Sequence, residues 1–186
     1  GVVSFDRNKV IHAGQGGMLL MKNKNKLSNA HEVYEVGTNR QSFFEGKSPY
    51  YSWVSLGGKY VLSDLNCAFL YAQLLQDLSI IKIRLEKWNY YLNNLRARDI
   101  SEIKLPHVPE FSMHNGYQFY LITENQTLRN KLQQHLQVNN IASSFHFIPL
   151  HSSPMGLKTG RFIGTDSNTT RISQNILRIP LHNGIS

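Results

Sequence analysis

The stretch that decides the fold reads Ser4-Phe5-Asp6-Arg7-Asn8-Lys9-Val10-Ile11-His12-Ala13-Gly14-Gln15-Gly16-Gly17-Met18. One apolar run, Val2 to Phe5, leads into it, and another, Met18 to Met21, leads out. A polar loop and a glycine turn between two such runs predict two short buried strands. Lys9 then lies where the chain leaves the sheet. A lysine held in a partly desolvated place has its charged form disfavoured, which frees the amine to act as a nucleophile and to condense with a carbonyl. Spacing alone favours an ordinary surface lysine at Lys9, since lysine near paired glycines is not a motif.

Working outward, Lys22-Asn23-Lys24-Asn25-Lys26 ends the second strand as a basic loop. A short helix is predicted from about Ser28 to Val36, with Gly37 as its stop. Residues 37–62 are rich in aromatics (Phe43, Phe44, Tyr50, Tyr51, Trp53, Tyr60) and broken by Gly and Pro. They read as an ordered excursion packed on another surface, because loops of that length are uncommon unless functional. From Ser63 the apolar residues recur at three- and four-residue steps, through Leu65, Ala68, Phe69, Ala72, Leu75, Leu78, Ile81, Leu85, Trp88 and Leu92. That period predicts one long helix, or two with a bend near Asp77–Ser79, over about 64–96, capped by Ser63.

Beyond Pro106 and Pro109 the chain reads as a small α+β unit. Tyr117, Phe119 and Leu121 alternate as a strand, and Leu128, Leu132 and Leu136 form a helix stripe. Ile141 to Ile148 is a second strand, and a last helix includes Thr170–Leu177. The expected segments are therefore 1–62, 63–105 and 106–186.

Composition narrows the function classes. The 186 residues carry 20 Lys+Arg against 12 Asp+Glu, a net charge of +8, with 41% hydrophobic and 17% charged residues. This suits one domain or slightly more and excludes global disorder. One cysteine, Cys67, excludes a disulfide framework and a cysteine-based zinc site, and its place in an amphipathic helix predicts core or interface packing. No apolar run approaches the roughly 20 residues that span a bilayer, so a cytoplasmic protein without membrane insertion is expected. The positive charge admits a basic nucleic-acid-binding module as a remote alternative, but no recognition motif or regular basic stripe supports it. The sequence opens on Gly1 without an initiator Met and closes without a final amphipathic helix, so it reads as a piece of a longer polypeptide.

Three groups of residues carry a resemblance. Ser4, Phe5, Lys9, Gly14, Gly16 and Gly17 resemble the cofactor-lysine segment of the DegT/DnrJ sugar aminotransferases, departing at Asp6 (commonly His or another aromatic) and Gln15 (usually Glu). Gly37-Thr38-Asn39-Arg40, Phe43-Phe44, Gly46, Tyr51, Trp53, Gly57, Tyr60, Ser63-Asp64-Leu65 and Ala72-Gln73-Leu74 are similar to the bacterial dTDP-4-oxo-6-deoxyglucose transaminases. So are Phe145-His146-Phe147-Ile148-Pro149-Leu150-His151-Ser152-Ser153-Pro154 and Leu177-Arg178-Ile179-Pro180-Leu181. All three groups keep the family order.

The resemblance implies an α/β fold, part of the pyridoxal-phosphate-dependent aspartate-aminotransferase (type I) fold. The chain would supply the last strands of the large domain and the C-terminal α+β small domain. It implies pyridoxal 5'-phosphate as cofactor and Lys9 as the lysine that carries it. Amino transfer would run from L-glutamate to the 4-keto group of a dTDP-4-keto-6-deoxyhexose, for cell-surface polysaccharide, in a cytoplasmic homodimer. Lys59 falls where the family usually has Asn or Ser reaching the partner subunit's cofactor phosphate; a point charge there and a plain loop charge are both open. Arg40, Phe43 and Trp53 fall on an excursion that helps build the neighbouring subunit's site, with dimer packing as the alternative, preferred for Phe44.

His151 is expected to bond sugar or diphosphate, and His146 either shares that role or is a structural histidine. No third ligand accompanies them, so no metal site is expected. His12, His31, His107 and His135 read as surface residues. The family's partner for the pyridinium nitrogen, its ring-stacking aromatic and most of its phosphate cradle are not in this chain. An isolated fragment would then be inactive, and an inactive truncated relic is the alternative reading.

Overall fold

The computed structural model describes residues 1–185. They divide into two compact units, one of residues Gly1–Asp77 and one from Leu78 onward.

In the first unit, β1 (Val2–Ser4) pairs antiparallel with β2 (Gly17–Leu19), with Val2 opposite Leu19 and Ser4 opposite Gly17. A side chain at Gly17 would put its Cβ 2.9 Å from the Val3 carbonyl oxygen, so only glycine fits this pairing. The ladder continues past the strands. The Phe5 amide donates to Gly16 O and the Arg7 amide to Gly14 O, each at 2.9 Å, while the Ala13 amide donates back to Phe5 O at 2.8 Å. Contrary to expectation, β1 and β2 are exposed along their whole length, and the buried hydrophobics of this unit are Phe5 and Ala13. A two-stranded ribbon has no second layer of its own to cover its apolar residues.

A 3-10 turn at Lys24–Lys26, capped by the Asn23 side chain, leads into α1 (Leu27–Tyr34). The helix therefore starts one residue before Ser28, whose hydroxyl is turned to Glu32 at 3.5 Å rather than to a cap position. The aromatic excursion is ordered, as expected, and contains α2 (Arg40–Phe44), which periodicity did not predict. Its two ends are laced together. The Val36 amide donates to Gly58 O, the Gly58 amide to Val33 O, the Val54 and Ser55 amides both to Gly37 O, and the Tyr60 amide to Tyr34 O. The Asn39 side chain closes the inner loop, donating to Tyr50 O at 2.8 Å and accepting from the Ser52 amide at 2.7 Å.

Gly37 sits at the crossing with φ +76°, and a Cβ there would lie 1.9 Å from Ser55 O. Gly37→Ala is expected to destabilise the loop by at least about 2 kcal/mol, since left-handed backbone alone costs about 1–2 kcal/mol. Limited proteolysis of residues 45–58 should accelerate in this variant; a wild-type digestion rate would count against the lacing.

From Ser63 the expected helix forms in two pieces. Ser63 caps α3 (Asp64–Leu74), accepting from the Asn66 amide at 3.3 Å. The break falls at Leu75 and Gln76, and α4 (Asp77–Arg96) follows, all but its first residue in the second unit. Cys67 is exposed on α3 rather than part of a core.

The second unit is built on a four-stranded antiparallel sheet in the order β3 (Ile103–Lys104), β4 (Phe119–Thr123), β6 (Ile176–Ile179), β5 (Ser144–Phe145). β4 alternates buried and half-buried residues, as Phe119-Leu121 patterning predicts. Trp88 of α4, Phe119 and Leu121 form the core, with Tyr91, Leu92, Leu132 and Ile179 around them. α5 (Gln126–Val138), capped by the Asn125 side chain, carries the Leu128-Leu132-Leu136 stripe.

Two expectations fail here. The predicted strand over 141–148 shrinks to Ser144–Phe145 at the sheet edge, with a 3-10 turn (Leu150–Ser152) soon after. The helix predicted through Leu177 stops earlier: α7 (Thr169–Asn175) runs directly into β6. Leu177 is fully buried between β4 and β5 as a strand residue, which an apolar period shared by a helix end and a short strand could not distinguish. The remaining helix, α6 (Pro154–Thr159), is capped by Ser153.

Candidate functional site

In the first unit, Lys9 lies on the turn that closes the β1–β2 ribbon, its amide donating to Asp6 O at 2.8 Å. The side chain is exposed, so residues 1–77 do not supply the desolvation anticipated from sequence. What they supply is a fixed backbone. Beyond the ribbon bonds, the Gln73 carboxamide of α3 takes both polar groups of the His12 backbone: Nε2 donates to His12 O at 2.6 Å and Oε1 accepts from the His12 amide at 3.2 Å. The His12 ring packs on Phe69 with centroids 5.3 Å apart. His12 is therefore half-buried and structural, not the surface residue expected. Gln73 was visible in the sequence only as part of a resembling tripeptide. Its role depends on a contact across 61 positions.

Arg40, Phe43, Trp53 and Lys59 all fall on the laced loop. Arg40 Nε lies 3.8 Å from Glu35 Oε1, and its guanidinium sits 5.2 Å from the centre of the Phe44 ring. Phe43 packs on Phe44 and Tyr51 with centroids 5.7 and 6.1 Å apart. Trp53 pairs with Thr38 across the loop yet is 73% exposed, and Lys59 pairs with Glu35 with its side chain exposed. Glu35 Oε2 is buried without a hydrogen-bond partner among the described residues.

In the second unit, His146 and His151 follow β5. His146 lines an open apolar groove together with Phe147, Ile148, Pro149, Ile172 and Ile176. Burial, then the neighbouring Arg178 charge, pushes its imidazole below the usual histidine range, so the ring is neutral at pH 7. Its Nδ1 is buried without a hydrogen-bond partner among the described residues. His151 has a partner that sequence reasoning missed. Its Nε2 lies 2.9 Å from Asp166 Oδ2, and its ring packs on Phe162 at 4.6 Å. Asp166 is itself held by Thr170, whose hydroxyl donates to Oδ2 at 2.5 Å and whose amide donates to Oδ1 at 3.2 Å. The spacing Asp166 to Thr170, four residues apart at the mouth of a helix, was the available signal: a carboxylate accepting first-turn amides.

The Thr170 hydroxyl, with its amide and His151 behind it, holds the Asp166 carboxyl below the usual carboxylate range. A carboxyl whose folded value is depressed contributes stability that is present above its unfolded pKa, about 3.9. That contribution is lost as pH falls through the folded value. Thr170→Val should therefore move acid unfolding, followed by circular dichroism, to higher pH. An unmoved acid limb would show that the carboxyl is not held this way.

Two buried arginines also escaped the sequence reading. Arg84 spans three carbonyls, Nε to Gly116 O and one terminal nitrogen to Tyr117 O and Leu181 O, at 2.8–3.0 Å. Arg129 donates Nε to Gln174 O at 3.0 Å and packs over Phe145. Their charges are spent on backbone carbonyls that a single turn of periodicity analysis cannot locate. Among the described residues there is no group of three or more His, Cys, Asp or Glu placed to hold a metal ion, and no helix long and apolar enough to cross a membrane.

One unit thus carries a lysine-bearing turn on a glycine-closed ribbon, and the other a histidine–aspartate pair that follows the edge strand β5 in the chain. The whole chain, residues 1–186, matches the DegT/DnrJ/EryC1/StrS aminotransferase family, and it belongs to that family. It is 28% identical over 188 residues to MJ1066, an uncharacterized protein of Methanocaldococcus jannaschii, covering 96% of this chain and 48% of that one. Among solved structures it is similar to the aminotransferase TlmJ of Streptoalloteichus hindustanus, with a TM-score of 0.84 at 20% identity. It is also similar to the PLP form of the sugar aminotransferase Spr1654 of Streptococcus pneumoniae, with a TM-score of 0.79 at 19% identity. All of this chain and 47% of each of those two are covered, so it spans about half the length of its relatives. The fold is therefore the α/β fold of the sugar aminotransferases.

Proposed function

We propose that this chain contributes to a pyridoxal-phosphate-dependent sugar aminotransferase, moving an amino group from L-glutamate to the 4-keto group of a dTDP-4-keto-6-deoxyhexose. The observation that carries the reading is the family match over residues 1–186, and the fixed turn that bears Lys9 supports Lys9 as the cofactor lysine. The residues present suit the cofactor in kind. Lys9 offers an exposed primary amine, the glycines beside it leave no side chain at the ribbon crossing, and Lys59 offers a cation for a phosphate. Pyridoxal phosphate, when bound, supplies an electron sink for amino transfer.

The chain's residues would do the rest. Lys9 Nζ would hold the cofactor and, when not bonded to it, would carry protons to and from the donor Cα and the sugar C4. Lys59 acts as a point charge toward the phosphate, on a partner subunit in a homodimer. Arg40, Phe43 and Trp53 line the neighbouring site from the laced loop. His151 bonds sugar or diphosphate, and His146, neutral and half-buried, serves the same face.

The test is mapping of the cofactor lysine. The full-length protein is incubated with pyridoxal phosphate, reduced with borohydride and digested, and the label should be recovered on the peptide containing Lys9. Label on another lysine would refute the assignment.

A further inference from the structure

The His151–Asp166–Thr170 cluster contains more information than a binding histidine needs. Asp166 Oδ2 lies 2.9 Å from His151 Nε2, and no protein partner is found for His151 Nδ1 among the described residues. An ionised carboxylate only accepts, so the nitrogen facing it must carry a proton. The ring cannot swing freely either, because Phe162 packs against it and the segment around it is held by the Ser152 and Ser153 hydroxyls donating to Pro149 O and Leu150 O.

We infer that Asp166 is a positioning residue: oriented by Thr170, it fixes His151 as the Nε2–H tautomer and leaves Nδ1 as the acceptor offered to a ligand hydroxyl. The inference rests on the reading of His151 as ligand-facing, and it names the chemistry recognised there: a hydroxyl hydrogen, as on a sugar ring, rather than a bare carbonyl. Neutral Nδ1 takes a hydrogen bond that no carbonyl can give.

Thr170 makes the arrangement testable by a single isosteric change. Its backbone amide donates to Oδ1 at 3.2 Å and cannot do anything else. In Asp166→Asn the carboxamide must therefore put its oxygen toward the Thr170 amide and its NH2 toward His151 and the Thr170 hydroxyl. The hydroxyl can rotate to accept. The imidazole can accept only by moving its proton to Nδ1, so the variant reverses the tautomer and removes the acceptor.

The experiment uses the full-length protein with ring-15N histidine, assigning His151 by the signal lost in His151→Gln, and compares kcat/KM for the sugar substrate. In the wild-type protein the unprotonated nitrogen of neutral His151 should be Nδ1. In Asp166→Asn it should be Nε2, while Thr170→Val, which keeps the backbone amide, should leave it at Nδ1. kcat/KM should fall about tenfold in Asp166→Asn, the size expected when one hydrogen bond to the ligand is lost. A wild-type ring unprotonated at Nε2, or an unreversed tautomer in folded Asp166→Asn, overturns the role of Asp166. A reversed tautomer with kcat/KM unchanged in both Asp166→Asn and His151→Gln overturns instead the ligand-facing reading of His151.

Discussion

Replacing Lys9 by alanine in the full-length protein is expected to lower amino transfer by about 10²–10⁴-fold, the range a positioned proton-transfer group contributes, while leaving the melting curve almost unchanged. Both halves of that expectation come from the turn. The Lys9 side chain is exposed, so its removal opens no cavity, and surface substitutions of this kind stay within about ±0.5 kcal/mol. The backbone bonds that shape the turn, from the Phe5, Arg7, Lys9 and Ala13 amides and from the Gln73 carboxamide to His12, are all kept when Lys9 becomes alanine. Lys9→Arg should fail as badly, since a guanidinium stays protonated and does not condense with an aldehyde. The measurement is single-turnover amino transfer beside thermal unfolding. Turnover retained in Lys9→Ala would remove the basis of the proposed function. Turnover lost together with the fold would mean that Lys9 holds the turn rather than the cofactor.

The largest stability effect is expected at Phe119. It is fully buried in β4, with its ring 5.3 Å from Trp88 and 5.2 Å from Tyr91, so it joins the long helix α4 to the sheet. Phe119→Ala should cost about 3–5 kcal/mol, the usual range for emptying such a site. Native domains hold only about 5–15 kcal/mol in total. The second unit should then lose its cooperative transition at growth temperature or shift it by many degrees. Denaturant titration followed by tryptophan fluorescence reads this directly through Trp88. A shift below about 1 kcal/mol would mean that the core is held elsewhere, with Arg84 and its three carbonyls the next place to look.

These two positions differ in how legible they are. Phe119 was predicted as a strand residue because Tyr117, Phe119 and Leu121 alternate, and alternation is a local property of a half-buried sheet. Lys9 had no such local signature. Its surroundings became informative only when the family order of three motif groups was read together. Ser63 as a cap, Asp64 in the first turn and the Leu128-Leu132-Leu136 stripe were equally local, and the structure shows each of them.

What escaped the sequence follows one physical pattern. Gln73 meets His12, Arg84 meets Leu181, and Arg129 meets Gln174, each a side chain satisfying a backbone group 45 or more positions away. Polar partners of this kind obey no period, because what selects them is the cost of leaving a buried carbonyl or amide unpaired. Leu177 shows the same limit for apolar residues. Its neighbours on either side suit a helix or a strand, and only the vacancy between β4 and β5 chose the strand.

The sequence by itself determined the helix capped by Ser63, the Leu128-Leu132-Leu136 helix, the glycine turn of the ribbon, and the family, since these depend on neighbouring residues or on motif order. Only the tertiary structure decided that His151 has an aspartate behind it and that the Lys9 turn is tied to a helix. Those contacts exist because folding brings distant groups into hydrogen-bond range, and no reading of adjacent residues contains that distance.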